Sequence, residues 1–274
     1  MRIIVCLKPV PDPKHWKEMS LHPTLKVLVR EGIPNVINPL DRNALEEALR
    51  IKERQGGEVI ILSMAPLFCL SILREALAMG GDRAILLSDK AFAGSDTLAT
   101  SYILSEAVRK IGDFDLILCG NQTIDGWTGH VGPQLSQFLG IEGISLVRMI
   151  EEFHFEEDAK GRAKAARAIV RRNIEYGYVR IEAELPLLLS VVKEINTPRY
   201  ATFAGILEAE KKEIQILSAS DLKIDPSHVG LTGSPTKMAD LFMPEVKRRR
   251  EIIQEKPEVA SRLIIEKIHQ RGLI

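Results

Sequence analysis

This sequence has no excess of charge of either sign. Lys plus Arg and Asp plus Glu both count 37, so there is no basic field to hold nucleic acid or an anionic membrane, and any partner is recognised locally. It also lacks a run of about 18 apolar residues, the length a membrane-crossing helix needs. The opening "MRIIVCLK" carries an apolar stretch too short for the core of a signal peptide, with no small-residue cleavage site after it. A soluble, cytoplasmic protein is expected. Cysteine is scarce: Cys6, Cys69 and Cys119 stand far apart, without C-x-x-C spacing or a paired histidine motif. That excludes a disulfide framework and a zinc site, and the three read as buried small apolar residues. His15, His22, His154, His228 and His269 have no ligand spacing, and no metal is expected. Three phosphate or nucleophile motifs are missing too: no GxxxxGK[ST] loop, no GxGxxG after a strand, no GxSxG elbow. No catalytic residue is assigned.

What is present is a hydrophobic content of 45% in 274 residues, enough for a substantial core. Over the first 150 residues the period alternates. "RIIVCLK", "EVIILSM", "RAILLS" and "FDLILC" read as buried strands. "DRNALEEALRIKE" from Asp41, "LFCLSILREALAMGG", "SDTLATSYILSEAVRKIG" capped by Ser95 or Asp96, and "VGPQLSQFLG" read as helices. This alternation predicts an α/β fold, a Rossmann-like parallel sheet with helices on both faces. Beyond residue 150, "EEFHFEE", "ARAIVRRNI", "YGYVRIEAEL" and "LLLSVVKE" predict added antiparallel strands without helices between them. After Pro198 the periodicity weakens. "DPSHVGLTGSPTKMADLFMPEVKRRR" predicts an irregular tail supported by a partner subunit, and "KPEVASRLIIEKIHQRGL" a final amphipathic helix. Two parts are expected: 1–195 as the α/β domain with its added strands, and 196–274 as loop, tail and helix. The basic run at 247–250 is either a solvated surface or a subunit-facing one.

The stretch "GNQTIDGWTGHVGPQL", 120–135, follows a strand and leads into a helix. In a parallel sheet such a loop lies at the carboxyl rim, where ligand crevices form. Val131, Leu135, Phe138 and Leu139 make one apolar helix face, and Pro133 is tolerable only in the first turn, so the helix is expected to begin near Thr128 or Gly129. Its unpaired N–H groups, with Gly126, Gly129 and Gly132 allowing close approach, suit a phosphate. The alternative is a glycine-rich connection in which Thr128 only caps a helix. "CLKPVPD", "NPLDRNALEEA" and "SMAPL" fall on the same rim, which favours a pocket. Trp127 could stack on an adenine or flavin edge or simply cover apolar surface. His130 could bond a phosphate or a flavin, or stay solvated. Asp12, Asp41 and Asp125 turn the chain or fix ribose and amide contacts.

The blocks "INPLDRNALEEALRIKE", "REALAMGGDRAILLSD", "FAGSDTLATSYIL", "DLILCGNQTIDGWTGHVGP" and "INTPRYATFAGI" resemble, in order, those of the electron-transfer flavoprotein beta subunit. Val170, Arg172, Glu175, Gly177, Ile181, Pro186, Leu188 and Leu189 fit the family signature, from which Tyr176, Val179 and Ser190 depart. The resemblance implies an electron-carrying subunit, not an enzyme, paired with an alpha subunit that holds a redox-active FAD. It implies a beta pocket made by Cys6, Lys8, Asn38, Pro39, Leu40, Asp41, Ser63, Met64, Gly120, Asn121, Gln122, Thr123, Ile124, Asp125, Gly126, Trp127, Thr128, Gly129, His130 and Val131. That pocket holds AMP in simple carriers and a second FAD in the electron-bifurcating branch. "VPD" and the "DGxTxxVGP" form favour a second FAD. Pro198, Arg199, Tyr200 and Phe203 are implied to dock an acyl-CoA dehydrogenase-like or other flavin dehydrogenase, with NADH a further donor if electrons are bifurcated. Phe203 is then either the anchor of that loop or internal packing. Two other classes stay open at this point, a stand-alone enzyme with an ATP-pyrophosphatase-like sheet and a nucleotide-sensing stress protein. The first expects an SGGxDS-like loop where "CLKPVPD" stands, and the second needs no long tail.

Overall fold

In the computed structural model the residues described are 1–18, 20–21, 28–29, 32–157, 163–237, 239 and 251–274. By internal contacts they fall into two units, Met1–Leu241 and Phe242–Ile274.

The first unit is built on strands whose two faces are both apolar. β1 (Arg2–Cys6) is followed by the short β2 (Pro9–Pro11), β3 (Ser20–Leu21), β4 (Leu28–Val29) and β5 (Asn35–Ile37). β2 pairs with β5 and β3 with β4, both antiparallel. Then come α1 (Pro39–Gln55), β6 (Glu58–Met64), α2 (Leu70–Met79), β7 (Arg83–Leu87), α3 (Thr97–Ile111), β8 (Leu116–Gly120) and α4 (Val131–Leu139). β9 (Glu142–Glu157), β10 (Ala163–Ile174), β11 (Gly177–Glu184) and β12 (Leu187–Val191) follow, and α5 (Phe203–Ala209), β13 (Ile214–Leu217) and the one-turn α6 (Gly230–Gly233) close the unit.

One nine-stranded sheet runs β11-β10-β9-β12-β8-β1-β6-β7-β13. From β9 to β13 neighbouring strands are parallel, and only β9–β10 and β10–β11 are antiparallel. Because side chains alternate along a strand, Ile3 and Val5 enter the core shared with Ala44, Leu45, Leu73 and Leu77 of α1 and α2. Ile4 and Cys6 enter the opposite core, with Ile103, Leu104, Val108 and Leu135 of α3 and α4. Each of α1 to α4 follows a strand and covers a face of the sheet, as the alternating pattern required.

Three features differ from the sequence expectation. β9 begins at Glu142 rather than 151: its first part pairs in parallel with β12 and its later part antiparallel with β10. Leu146, at φ 61°, marks the change of course, a backbone position that costs a β-branched or bulky residue energy and is held by its surroundings. "LLLSVVKE", expected in the antiparallel addition, supplies β12, a central parallel strand between β8 and β9. Its five residues are all buried, which is why it reads as an unbroken apolar run. After Pro198 the chain forms α5 and the edge strand β13, both within the first unit; four residues were too few to register as a strand. The stretch expected to be irregular includes 238 and 240–250, and with the basic run 247–250 these lie outside the described residues.

The second unit contains α7 (Pro257–Gln270), the expected final helix. Val259, Ile264 and Ile265 on it are exposed. No helix among the described residues is long and apolar enough to cross a membrane.

Candidate functional site

The order β8-β1-β6-β7 means that the chain leaves β1 toward β6 and later returns to β8 on the other side of β1. The crevice beyond the carboxyl ends of β1 and β8 is therefore the topological switch point, where parallel sheets bind ligands. The loops starting at Leu7 and Asn121 flank it, and the first turn of α1 closes its base.

Two side chains of that first turn hold the crevice together. Asp41 is buried, and its carboxylate accepts hydrogen bonds from the amides of Lys8 and Gly120, each at 2.8 Å. It thus ties the ends of β1 and β8 to one helix. Burial pushes its carboxyl up to about 6, against the opposing pull of the two amides, Asn38 and the Lys8 charge. Asn38 donates from Nδ2 to the Gln122 carbonyl at 3.1 Å and accepts at Oδ1 from the Ile124 amide at 3.1 Å. Their side chains brace the rim. Pro39 and Leu40 complete the turn, and a Cβ on Gly120 would lie 2.5 Å from Asp41 Oδ1 and 2.7 Å from Leu40 Cβ. Only glycine fits that contact.

Lys8 Nζ bonds both oxygens of Asp125, at 2.9 and 2.8 Å. Asp125 therefore secures the long loop across the crevice to β1. Asn121 donates its amide to the Val191 carbonyl at 2.9 Å, and its Oδ1 accepts from Ser190 Oγ at 3.2 Å. Sequence reasoning passed over Ser190 as a site residue, although one hydroxyl in the apolar run "LLLSVV" was a signal: a polar group buried in a strand seeks a partner. The Trp127 amide bonds the Thr123 carbonyl at 2.9 Å, and Trp127 sits in the left-handed region at φ 54°. Its indole N–H donates to the Ile124 carbonyl at 2.8 Å, while the residue as a whole is 65% exposed. It does not cover the core.

α4 begins at Val131, two to three residues later than expected, with His130 at its N-cap and no side-chain cap bond. Thr128 does not cap it. The first intrahelical bond runs from the Gln134 amide to the His130 carbonyl, so the amides of the first turn precede the helix's own ladder. Gly129, at φ 66°, turns the chain into the helix. Beneath, Gly132 packs against β8: a Cβ there would be 3.2 Å from Cys119 Sγ. Burial pushes the Cys6 thiol up to about 12, with Asp41 adding to the shift, and holds the Cys119 thiol well above its ordinary value. Both thiols therefore stay protonated, with the Asp41 carboxyl near them. At the β6 end, Met64 is partly buried, while Ser63 is 1% exposed and its hydroxyl has no hydrogen-bond partner. A buried hydroxyl left unpaired costs energy that a bound group can return. Among the described residues there is no cluster suited to a metal ion.

Of the implied docking residues, Arg199 is tied to α1 through Glu46 and Glu53. Tyr200 and Phe203 are exposed, and Phe203 is the first residue of α5 rather than part of a loop. The tail against which Phe203 could otherwise pack lies in part outside the described residues.

A family model, the electron transfer flavoprotein domain, matches residues 25–222. Over 100% of both chains the sequence is 44% identical to the electron transfer flavoprotein subunit beta of Thermoanaerobacterium thermosaccharolyticum. The chain belongs to the electron transfer flavoprotein family. It is 43% identical to subunit CarD of the caffeyl-CoA reductase-Etf complex of Acetobacterium woodii, again over 100% of both chains. Protein FixA of Azorhizobium caulinodans is 39% identical over 95% of this chain and 90% of its own. Within the electron transfer flavoprotein family this chain has the place of a beta subunit, a carrier of electrons rather than a catalytic enzyme, in a flavin-using assembly with an alpha subunit.

Proposed function

We propose that the crevice at the switch point holds the nucleotide part of a second FAD, with AMP as the alternative occupant. The observation that carries this reading is the start of α4 at the rim, uncapped by any side chain and entered through Gly129 at φ 66°. A phosphate suits such a turn because the helix dipole and free N–H groups both favour negative charge. Lys8 is already paired with Asp125, which leaves the anion to the backbone. Ser63 supplies an orphaned hydroxyl at the adjoining strand end, and the exposed Trp127 ring offers a stacking face for a heterocycle. In this reading Asn38 and Asp41 hold the walls and do not contact the ligand.

A flavin held here would supply electron transfer. The chain's own residues bind and orient it, and no covalent step falls to them. The redox-active FAD of the pair belongs to the alpha subunit, and 196–207, with Tyr200 and Phe203 exposed, meets an acyl-CoA dehydrogenase-like or other flavin dehydrogenase. The second FAD is preferred over AMP on "VPD" and "DGWTGHVGP", a preference consistent with the likeness to a subunit of a caffeyl-CoA reductase-Etf complex; it makes NADH a donor. Denaturing the purified alpha–beta pair tests this directly. Two FAD per pair are expected; one FAD with AMP reverses the preference, and one FAD with no other nucleotide refutes the pocket.

A further inference from the structure

The segment 196–202, ahead of α5, is fastened to α1 along one stripe. Asn43, Glu46, Glu47, Arg50 and Glu53 recur at helical spacing on a single face. Asn43 Nδ2 donates to both the carbonyl and Oδ1 of Asn196, at 2.9 and 3.0 Å. Asn196 Nδ2 answers with bonds to the Asn43 carbonyl and Glu47 Oε2, each 3.0 Å. Glu46, a buried carboxylate, takes three donors from Arg199: its amide at 3.1 Å, Nε at 2.8 Å and Nη2 at 3.2 Å. The same guanidinium pairs with Glu53, and Arg50 joins Glu46 from the other side at 2.7 Å. At the far end Arg74 of α2 bonds the Ala209 and Lys212 carbonyls, and Lys212 Nζ bonds the Gly81 carbonyl at 2.6 Å. Between these fixed ends Tyr200 and Phe203 stand 87% and 78% exposed.

A forked guanidinium with a backbone amide on the same carboxylate fixes direction as well as position. Taking a carboxylate out of water is costly, and an apolar contact would stabilise the fold as well. The cluster is therefore better explained by orientation than by stability. We propose that Arg199 is a positioning residue: with Glu46, Glu47 and Asn196 it holds 196–203 as a preformed ledge presenting Tyr200 and Phe203 to the redox partner, and it does not touch that partner itself. This rests on the docking reading above. A preformed ledge spares the partner the cost of ordering it. Because Asn38 and Asp41 sit at the start of the same helix, ledge and nucleotide crevice hang from one rigid rod, about 18 Å from Asp41 to Glu53 along its axis.

The test uses the full alpha–beta complex, with a purified acyl-CoA dehydrogenase reduced by its acyl-CoA as the probe. Arg199→Lys keeps the charge and loses the fork, and Glu46→Gln keeps the shape and loses the charge. Both are expected to speed amide exchange in 196–203 by about tenfold and to raise the KM for the dehydrogenase by a similar factor, with nucleotide content retained. Unchanged exchange in both variants overturns the proposal, and a raised KM with unchanged exchange does so by making Arg199 a direct contact. Phe203→Ala tests the docking reading separately. It is expected to raise KM without altering exchange. An unchanged KM there removes the ledge's role in docking, whatever the exchange results.

Discussion

Asp41 is the residue on which the two sides of the crevice meet, and its proton is held more tightly in the folded chain than in the unfolded one. Its ordinary value of 3.8 is raised to about 6 by burial. An acid with a raised folded pKa destabilises the fold when ionised, so the cost, about 3 kcal/mol, is fully present above pH 6 and disappears as pH falls toward 4. Asparagine at the same position cannot titrate. The stability of the wild type relative to Asp41→Asn should therefore improve by about 2 kcal/mol between pH 7 and pH 4, read from denaturant melts at each pH. A difference that stays flat across that window would mean that burial does not raise the Asp41 carboxyl as described. Asn38 and Asp125, expected in the cofactor pocket, also bond the protein: Asn38 to the loop carbonyl and amide, Asp125 to Lys8.

At the scale of the element, the proposed nucleotide site rests on α4, and the start of that helix can be probed by charge alone. Gly129 lies at φ 66° with open space around it, the nearest atom to a Cβ being the Asn121 carbonyl oxygen at 3.5 Å. Any side chain there strains the backbone, so Gly129→Asp by itself mixes strain with charge. Asparagine and aspartate are similar in shape and tolerate the left-handed region about equally well. The difference between Gly129→Asn and Gly129→Asp is then the charge. Aspartate is expected to bind the nucleotide at least about tenfold more weakly than asparagine, roughly 1.4 kcal/mol, measured by titrating nucleotide into the stripped pair. Equal affinities would place the phosphate away from this helix. The late start of α4 has a local cause: the chain from Thr123 to Trp127 closes a turn of its own, so helical bonding waits until His130.

Taken as a whole, the chain divides unevenly, with the sheet and α1 to α6 in one unit and α7 in the other. None of α7's residues is buried, although it has the apolar spacing of a helix made to be covered. The expected occupant of that face is the alpha subunit. Ending the chain at residue 241 should leave the sheet intact, moving the melting temperature of the isolated subunit by less than about 4 °C. The shortened chain should pair with the alpha subunit more weakly, which sedimentation of mixed subunits would read. Full pairing by the shortened chain would deny α7 this role, and a lost melting transition would show that the first unit depends on it.

The sequence alone determined the repeating core and the rim. Strands such as "RIIVC" and "LILCG", apolar on both faces, have no stable place except inside a sheet covered on both sides, and the loop after "LILCG" had to lie at a carboxyl end. Local chemistry was also legible where cause and effect are close in the chain: Asp96 caps α3 with bonds to the amides of Leu98 and Ala99. Tertiary structure decided what depends on distant neighbours. Whether "LLLSVV" joined the added strands or the parallel centre turned on β8 and β9 lying on either side of it, and β13 exists because β7 offers an open edge. The hydrogen-bond partners of Asn38, Asp41 and Arg199 were decided there too. A short polar side chain is equally suited to a ligand and to an amide brought beside it by folding, and only the folded chain supplies Gly120, Ile124 and Glu46 as partners.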